Sequence, residues 1–238
     1  AMGSDYSFVI EQDLIVYQDL EITGDGTATF VLDGQISEYN PGATLSKSGT
    51  STLLLKSTPS FTGPTTIAAG ELILAENVTL SSNVLIADNA ILSGSGTLTQ
   101  SLSGPGLVSP GQDIGTLTVH DAVPGALHFE VNGERSDHLI STGTLDLSET
   151  TLTWSAQNLT KTIYPIITYN TLVDGFRSTN APPEGYLFDY QYQGNQIALI
   201  RANQAYEIWS QQTHNLSGND ALFESDPDLD GIPNGLEF

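Results

Sequence analysis

The sequence predicts an all-β chain wound as a solenoid of stacked coils, closed by a C-terminal β cap and followed by a short acidic tail. Three observations carry this. From Ser7 to about Trp154, short runs alternate apolar residues with Thr or Ser, the period of a strand. Gly, Asn, Asp and Pro interrupt every candidate helix in that stretch. Leucine-centred pairs recur at intervals near twenty residues, too short for a domain and right for one coil.

The first four residues, AMGS, read as an expression-vector remnant. Residues 5–154 form the predicted coil region, with STLLLKS (51–57), GELILAE (70–76), NVTLSSNVLIAD (77–88), GTLTQSL (96–102) and GTLTVHD (115–121) as its clearest strands. Leu53 to Leu72 spans 19 positions and Leu98 to Leu117 another 19, but Leu72 to Leu98 spans 26, so the period is loose. In a coil, alternate Leu, Ile and Val point inward and stack, while Thr and Ser face water. An antiparallel sandwich competes with this arrangement. It would favour two-residue Asn-Gly turns, and the first two thirds of the chain hold one, Asn132-Gly133.

Residues 155–202 change texture. IYPIITY (163–169), GYLFDYQYQ (185–193) and NQIALIRA (195–202) are aromatic-rich strands, with a hairpin expected at Gln193-Gly194-Asn195. A solenoid end exposes backbone and apolar side chains, so this segment is expected to cap it, with TYNTLVDGFRS (168–178) as a loop containing a short helical turn. Residues 203–238 form a polar linker, with a short helix around 205–212, running into DPDLDGIPNGLEF (226–238).

Composition narrows the function. Acidic residues number 28 against 6 Lys plus Arg, a net charge of −22 in 238 residues. Phosphate backbones and anionic lipid are poor partners for such a surface. The absence of cysteine excludes disulfides, thiolate metal sites and thiol nucleophiles. No apolar run approaches eighteen residues, so no membrane insertion of this segment is expected.

Specific motifs then point to a family. LSKSGTSTLLLKSTPSFTGPTTIAAGELILAEN (45–77) resembles the autotransporter-associated β-strand repeat, also called the passenger-associated transport repeat. SPGQDIGTLTV (109–119) resembles the segment that follows such repeats in bacterial surface proteins, and GALHFEVNGERSDHLISTGTLDL (125–147) the adjoining stretch. The resemblance covers roughly residues 44–202. It implies a right-handed parallel β-helix in an exported protein, placed outside a bacterium or on its surface. Trp209, the DPDLDG loop and Asn234 with Glu237 are similar to the C-terminal segments of large exported proteins of Verrucomicrobia and related bacteria, without the sorting signal that often follows.

The acidic loop has calcium-ligand spacing. Asp226, Asp228 and Asp230 supply carboxylates at positions one, three and five, and Gly231 permits the sharp turn. The Ile232 carbonyl falls at seven, Asn234 at nine and Glu237 at twelve, where a bidentate carboxylate belongs. Pro233 departs from the helix-loop-helix pattern, which puts the loop nearer to dockerin or thrombospondin type-3 styles, with weak affinity of about 10⁻⁴ to 10⁻³ M.

Catalytic motifs are missing. His120, His128, His138 and His214 show no ligand spacing, and no GxSxG, P-loop or GxGxxG occurs. Glu130, Glu134, Arg135 and Asp137 are the best acid–base cluster and read as a solvated turn. Tyr186, Tyr190 and Tyr192 read as cap residues or as a sugar-stacking platform. The expectation is a non-catalytic extracellular spacer or adhesion scaffold, whose partners are other domains of the same polypeptide and surface glycans. A carbohydrate-binding module and a polysaccharide lyase or hydrolase are the alternatives. Titrating calcium into the protein should raise its melting temperature; an unchanged melt would remove the metal from the loop.

Overall fold

The computed structural model describes residues 7–222 together with 225, 227, 228 and 232. The chain is 52% strand and 6% helix, and its parallel coils form a β-solenoid of about seven turns. Turns contribute strands to three faces, and paired strands lie one turn apart; the turn that begins at Thr52 has no strand on the second face.

On the first face Ser7–Ile10, Thr29–Leu32, Thr52–Leu55, Gly70–Leu74 and Ala90–Gly94 pair in parallel. Their register sets Phe8, Phe30, Leu53, Leu72 and Leu92 in one row, which continues through Val108, Leu127 and Leu152. The second face begins as a separate ladder of Leu14–Val16 on Ile36–Glu38. It resumes in Thr79–Leu80, Thr97–Leu98, Thr116–Val119 and His138–Leu145. The third face aligns Leu20, Leu45, Thr65, Val84, Leu102 and Ala122.

Alternation does what the sequence asks of it. Leu53, Leu72, Leu92, Val108 and Leu127 are all 0% exposed and belong to one core running the length of the solenoid. Each such side chain contributes about 1.5–3 kcal/mol by leaving water.

The irregular period has a geometric cause. Leu53 to Leu72 is 19 residues and Leu72 to Leu92 is 20, but Leu92 to Val108 is 16 and Leu127 to Leu152 is 25. Corner loops absorb the difference while the strands stay in register. Leu98 lies on the second face, not the first, so the 26-residue interval from Leu72 joins two different rows. Thr97 pairs with Thr118, which puts Leu98 beside Val119 and corrects the expected match to Leu117.

Two corners need glycine. Gly94 has φ of +105°, and a Cβ there would collide with the Leu74 carbonyl oxygen. Gly111 has φ of +84° and exchanges backbone hydrogen bonds of 2.8 and 2.9 Å with Gly94, which folds SPGQDIG back on the preceding coil.

One inward position is not apolar. Lys47 lies between Ile22 and Ile67 on the third face and is fully buried. Its ammonium donates to the carbonyls of Ser48, Gly49 and Ala69 at 2.8, 2.9 and 3.2 Å. Burial pushes its pKa down, against the opposing pull of the Asp25 charge.

Parallel pairing continues past Trp154. Leu139 sits beside Ile167, and Leu152 beside Thr179, so a last turn includes residues whose texture marks them as cap. TYNTLVDGFRS contains no helical turn: it is strand through Leu172 and loop to Arg177. The end is closed by the antiparallel hairpin Tyr186–Tyr192 and Gln196–Arg201, turning at Gln193-Gly194 with φ of +51° and +87°. Gln196–Arg201 pairs antiparallel with Ile163–Leu172 and covers that strand's edge. Helix Ala202–Glu207 and a π-helical turn, Ile208–Thr213, follow. Among the described residues no helix is long and apolar enough to cross a membrane.

Leu92→Ala should lower the unfolding free energy by about 2–5 kcal/mol in a urea titration. Leu85→Ala, at an outward position 49% exposed, should cost less than about 0.5 kcal/mol. Equal costs would contradict the inward row.

Candidate functional site

Two polar concavities flank a hairpin that interrupts the coil. Strand Ala122–Asn132 turns at Asn132-Gly133, where Gly133 has φ of +62°, and returns as Arg135–Ser136. The next turn follows it outward: Thr151–Gln157 pairs in parallel with residues 126–132 as far as Gln157 beside Asn132.

Two cavities share Arg135. One, of about 300 Å³, is lined by Asp113, Glu130, Asn132, Ser155 and Gln157 besides Arg135. The other, of about 430 Å³, is lined by Glu134, Arg135, Ser136, His138, Lys161 and Gln196. The sequence cluster of Glu130, Glu134, Arg135 and Asp137 is therefore brought together, but divided. Asp137 lines neither cavity.

Asp137 is fully buried and ties the two rims together. Its carboxylate oxygens accept the Gly115 N–H at 2.9 Å and the Glu130 N–H at 2.7 Å. Burial raises its pKa to about 6. The two N–H donors oppose that rise, and the Glu130 charge adds to it. The sequence predicts a solvated turn for Arg135 and Asp137. Arg135 is exposed and donates to the Ile114 carbonyl at 3.2 Å, whereas Asp137 is a buried tie.

The histidines do not form a metal set. His120, His128 and His138 each meet a threonine one turn on: Thr142 at 3.1 Å, Thr153 at 2.9 Å and Thr168 at 2.8 Å. His214 packs against the Trp209 ring, 4.5 Å between centroids. Among the described residues no group of three or more His, Asp and Glu is placed to hold a metal ion. Of the predicted calcium ligands, Asp226, Asp230, Asn234 and Glu237 lie outside the described residues. Asp228 and Ile232 are described, and both are exposed.

Two of the three tyrosines, Tyr186 and Tyr190, are drawn into the end of the core. Tyr186 is buried; its hydroxyl donates to the Lys161 carbonyl at 2.5 Å and accepts from Arg201 Nε at 3.1 Å. Tyr190 packs on Phe176 and Phe188, with centroids 5.9 and 6.0 Å away. A bulge between Asp189 and Tyr192 breaks the alternation expected to put Tyr190 and Tyr192 on one face.

Sequence reasoning missed Lys161 and Gln196 as neighbours of Arg135 and His138. The available signal was scarcity: with six Lys and Arg in the chain, any two in one cavity stand out. Compared with profiles of known protein families and with characterised proteins, the chain finds no match.

Removing the tie has a defined cost. Asp137→Ala leaves the part-buried Gly115 and Glu130 N–H groups without their acceptor and should destabilise by about 1–3 kcal/mol in all. Because the folded pKa lies near 6, above the ordinary 3.8, the folded state holds its proton more tightly. This group's contribution to stability therefore falls as pH rises from about 4 through 6. Asp137→Asn should flatten the measured stability–pH curve across that window, and an unchanged slope would contradict the shift.

Proposed function

We propose that this chain is a rigid, non-catalytic spacer segment of a larger exported bacterial protein of the autotransporter-like kind. It would hold neighbouring domains of the same polypeptide apart at or beyond the cell surface. One observation carries this reading: the inward row from Phe8 to Leu152 keeps parallel register through every turn. Strands about 4.8 Å apart give about seven turns a rod roughly 33 Å long. Bending such a rod breaks backbone ladders and opens the dry core together, so its length is set by turn count.

On this reading calcium, held by the loop from Asp226 to Glu237, stiffens the junction to a neighbouring domain. The motifs at 45–77 and 109–119 supply the family support, and the acidic composition suits a salty exterior. The cavity beside Arg135 and Lys161 favours glycan contact as a second role on the same rod.

The spacer reading is tested by lengthening the rod. Leu72 and Leu92 are equivalent positions, so duplicating residues 72–91 adds one turn. With fluorophores at both ends, energy transfer should report a narrow distance distribution that shifts outward by about 5 Å. A broad distribution, or no shift in a folded variant, would overturn rigid spacing. Release of reducing ends from a polysaccharide would overturn the non-catalytic reading.

A further inference from the structure

We propose that the cavity lined by Arg135, Lys161, Ser136, Glu134 and Gln196 binds a singly charged, hydroxyl-rich ligand, a uronate sugar with one carboxylate. This deepens the glycan-contact reading of the same cavity, on which it rests, and does not depend on the spacer role.

Accounting for the cations leads to the site. The chain has six Lys and Arg. Lys47 is caged by carbonyls, Lys56 pairs with Asp33 at 3.3 Å, and Arg177 pairs with Glu149 at 2.9 Å. Arg201 donates to the Tyr186 hydroxyl at 3.1 Å and lies 5.6 Å from that ring's centroid. Lys161 remains, and Arg135, which spends one guanidinium N–H on the Ile114 carbonyl at 3.2 Å. Among the described residues neither has a carboxylate within ion-pair distance, and both line the same cavity. In a chain of net charge −22 this is a local reversal of sign.

The back of the cavity is fixed. Gln196 Nε2 donates to Thr168 Oγ1 at 3.3 Å, and Thr168 Oγ1 lies 2.8 Å from His138 Nε2. Burial holds the His138 pKa below its usual value, opposed by the Pro165 backbone, and its Nε2 shares a hydrogen bond with the Thr168 hydroxyl. Asp137 anchors the adjoining backbone through Gly115, which also lines the cavity.

Charge and size select the ligand. A dianion would be repelled by Glu134 and by the surrounding acidic surface. One carboxylate meets the Arg135 fork and the Lys161 ammonium, while hydroxyls donate to Glu134 and pair with Ser136 and Gln196. A volume of about 430 Å³ exceeds what a bare ion fills and suits a sugar.

Calorimetric titration of the whole chain with methyl galacturonoside, which carries one carboxylate, its neutral methyl ester and N-acetylalanine tests this. The galacturonoside should bind and the ester should not. Arg135→Gln and Lys161→Gln should each weaken binding about tenfold, the worth of one charge-assisted hydrogen bond, while Lys56→Gln should leave it unchanged. No binding of the galacturonoside, or binding insensitive to both substitutions, would overturn the site. Equal binding of N-acetylalanine would reassign it to a peptide carboxylate and overturn the sugar. None of these results moves the end-to-end distance, so the spacer reading stands or falls separately.

Discussion

A single coil of this chain has an apolar inner row and a backbone edge, and it can satisfy neither alone. The next coil satisfies both at once, because the register that closes the backbone ladder is the one that stacks Leu53 on Leu72 and Leu72 on Leu92. A slip of one residue would turn every leucine outward, so packing and pairing enforce each other. Turn length is then free to vary. Corners between rows take up anything from 16 residues (Leu92 to Val108) to 25 (Leu127 to Leu152) without disturbing the core. The ends differ for the same reason. The hairpin Tyr186–Arg201 covers one edge, while among the described residues Ser7–Ile10 pairs on one side alone and leaves Phe8 and Val9 exposed.

Polar groups enter the core where they also hold backbone. Lys47 satisfies three carbonyls at a corner where the ladder turns, and Asp137 satisfies two N–H groups where a hairpin leaves the coil. Thr65, at an inward position, meets Ser82 at 2.8 Å. An unpaired polar atom in such a dry column costs more than its bond returns in water, so these residues are tolerated only with partners. Among the described residues Ser51 Oγ is the exception, buried without a protein partner.

This division explains what was legible in the sequence. Alternating Leu with Thr in STLLLKS and GELILAE reports local geometry, which the backbone alone decides, and so the strands could be read; the parallel winding needed the interval near twenty residues and the family resemblance as well. The hairpin at Gln193-Gly194 was readable because left-handed φ has a compositional signature. Row membership was not. Leu72 and Leu98 look alike in sequence, and only three-dimensional winding puts them on different faces. Burial of Lys47 and Asp137 was equally hidden, because their partners are main-chain atoms, which have no sequence identity. Arg135 and Lys161 meet across a hairpin and a loop, a juxtaposition that no spacing rule predicts.

Part of the chain's acidity follows from the same backbone accounting. At corners the ladder breaks, and N–H groups need acceptors that no neighbouring strand supplies. Asp13 accepts from Gln35 N at 2.9 Å, Asp19 from Thr44 N at 3.0 Å and Asp121 from Thr144 N at 2.7 Å, each one turn away. Glu38 accepts from Gly42 N, Ala43 N and the Thr62 hydroxyl. These bonds hold the Asp19 and Glu38 pKa values below their ordinary range, led by Thr44 and Thr62 respectively. Lysine and arginine have no acceptor atom and cannot do this work. Corners therefore account for some of the chain's carboxylates, and neutral acceptors such as Thr50 and Thr58 serve others. The chain's few cations are left for places where carbonyls, carboxylates or a ligand need them.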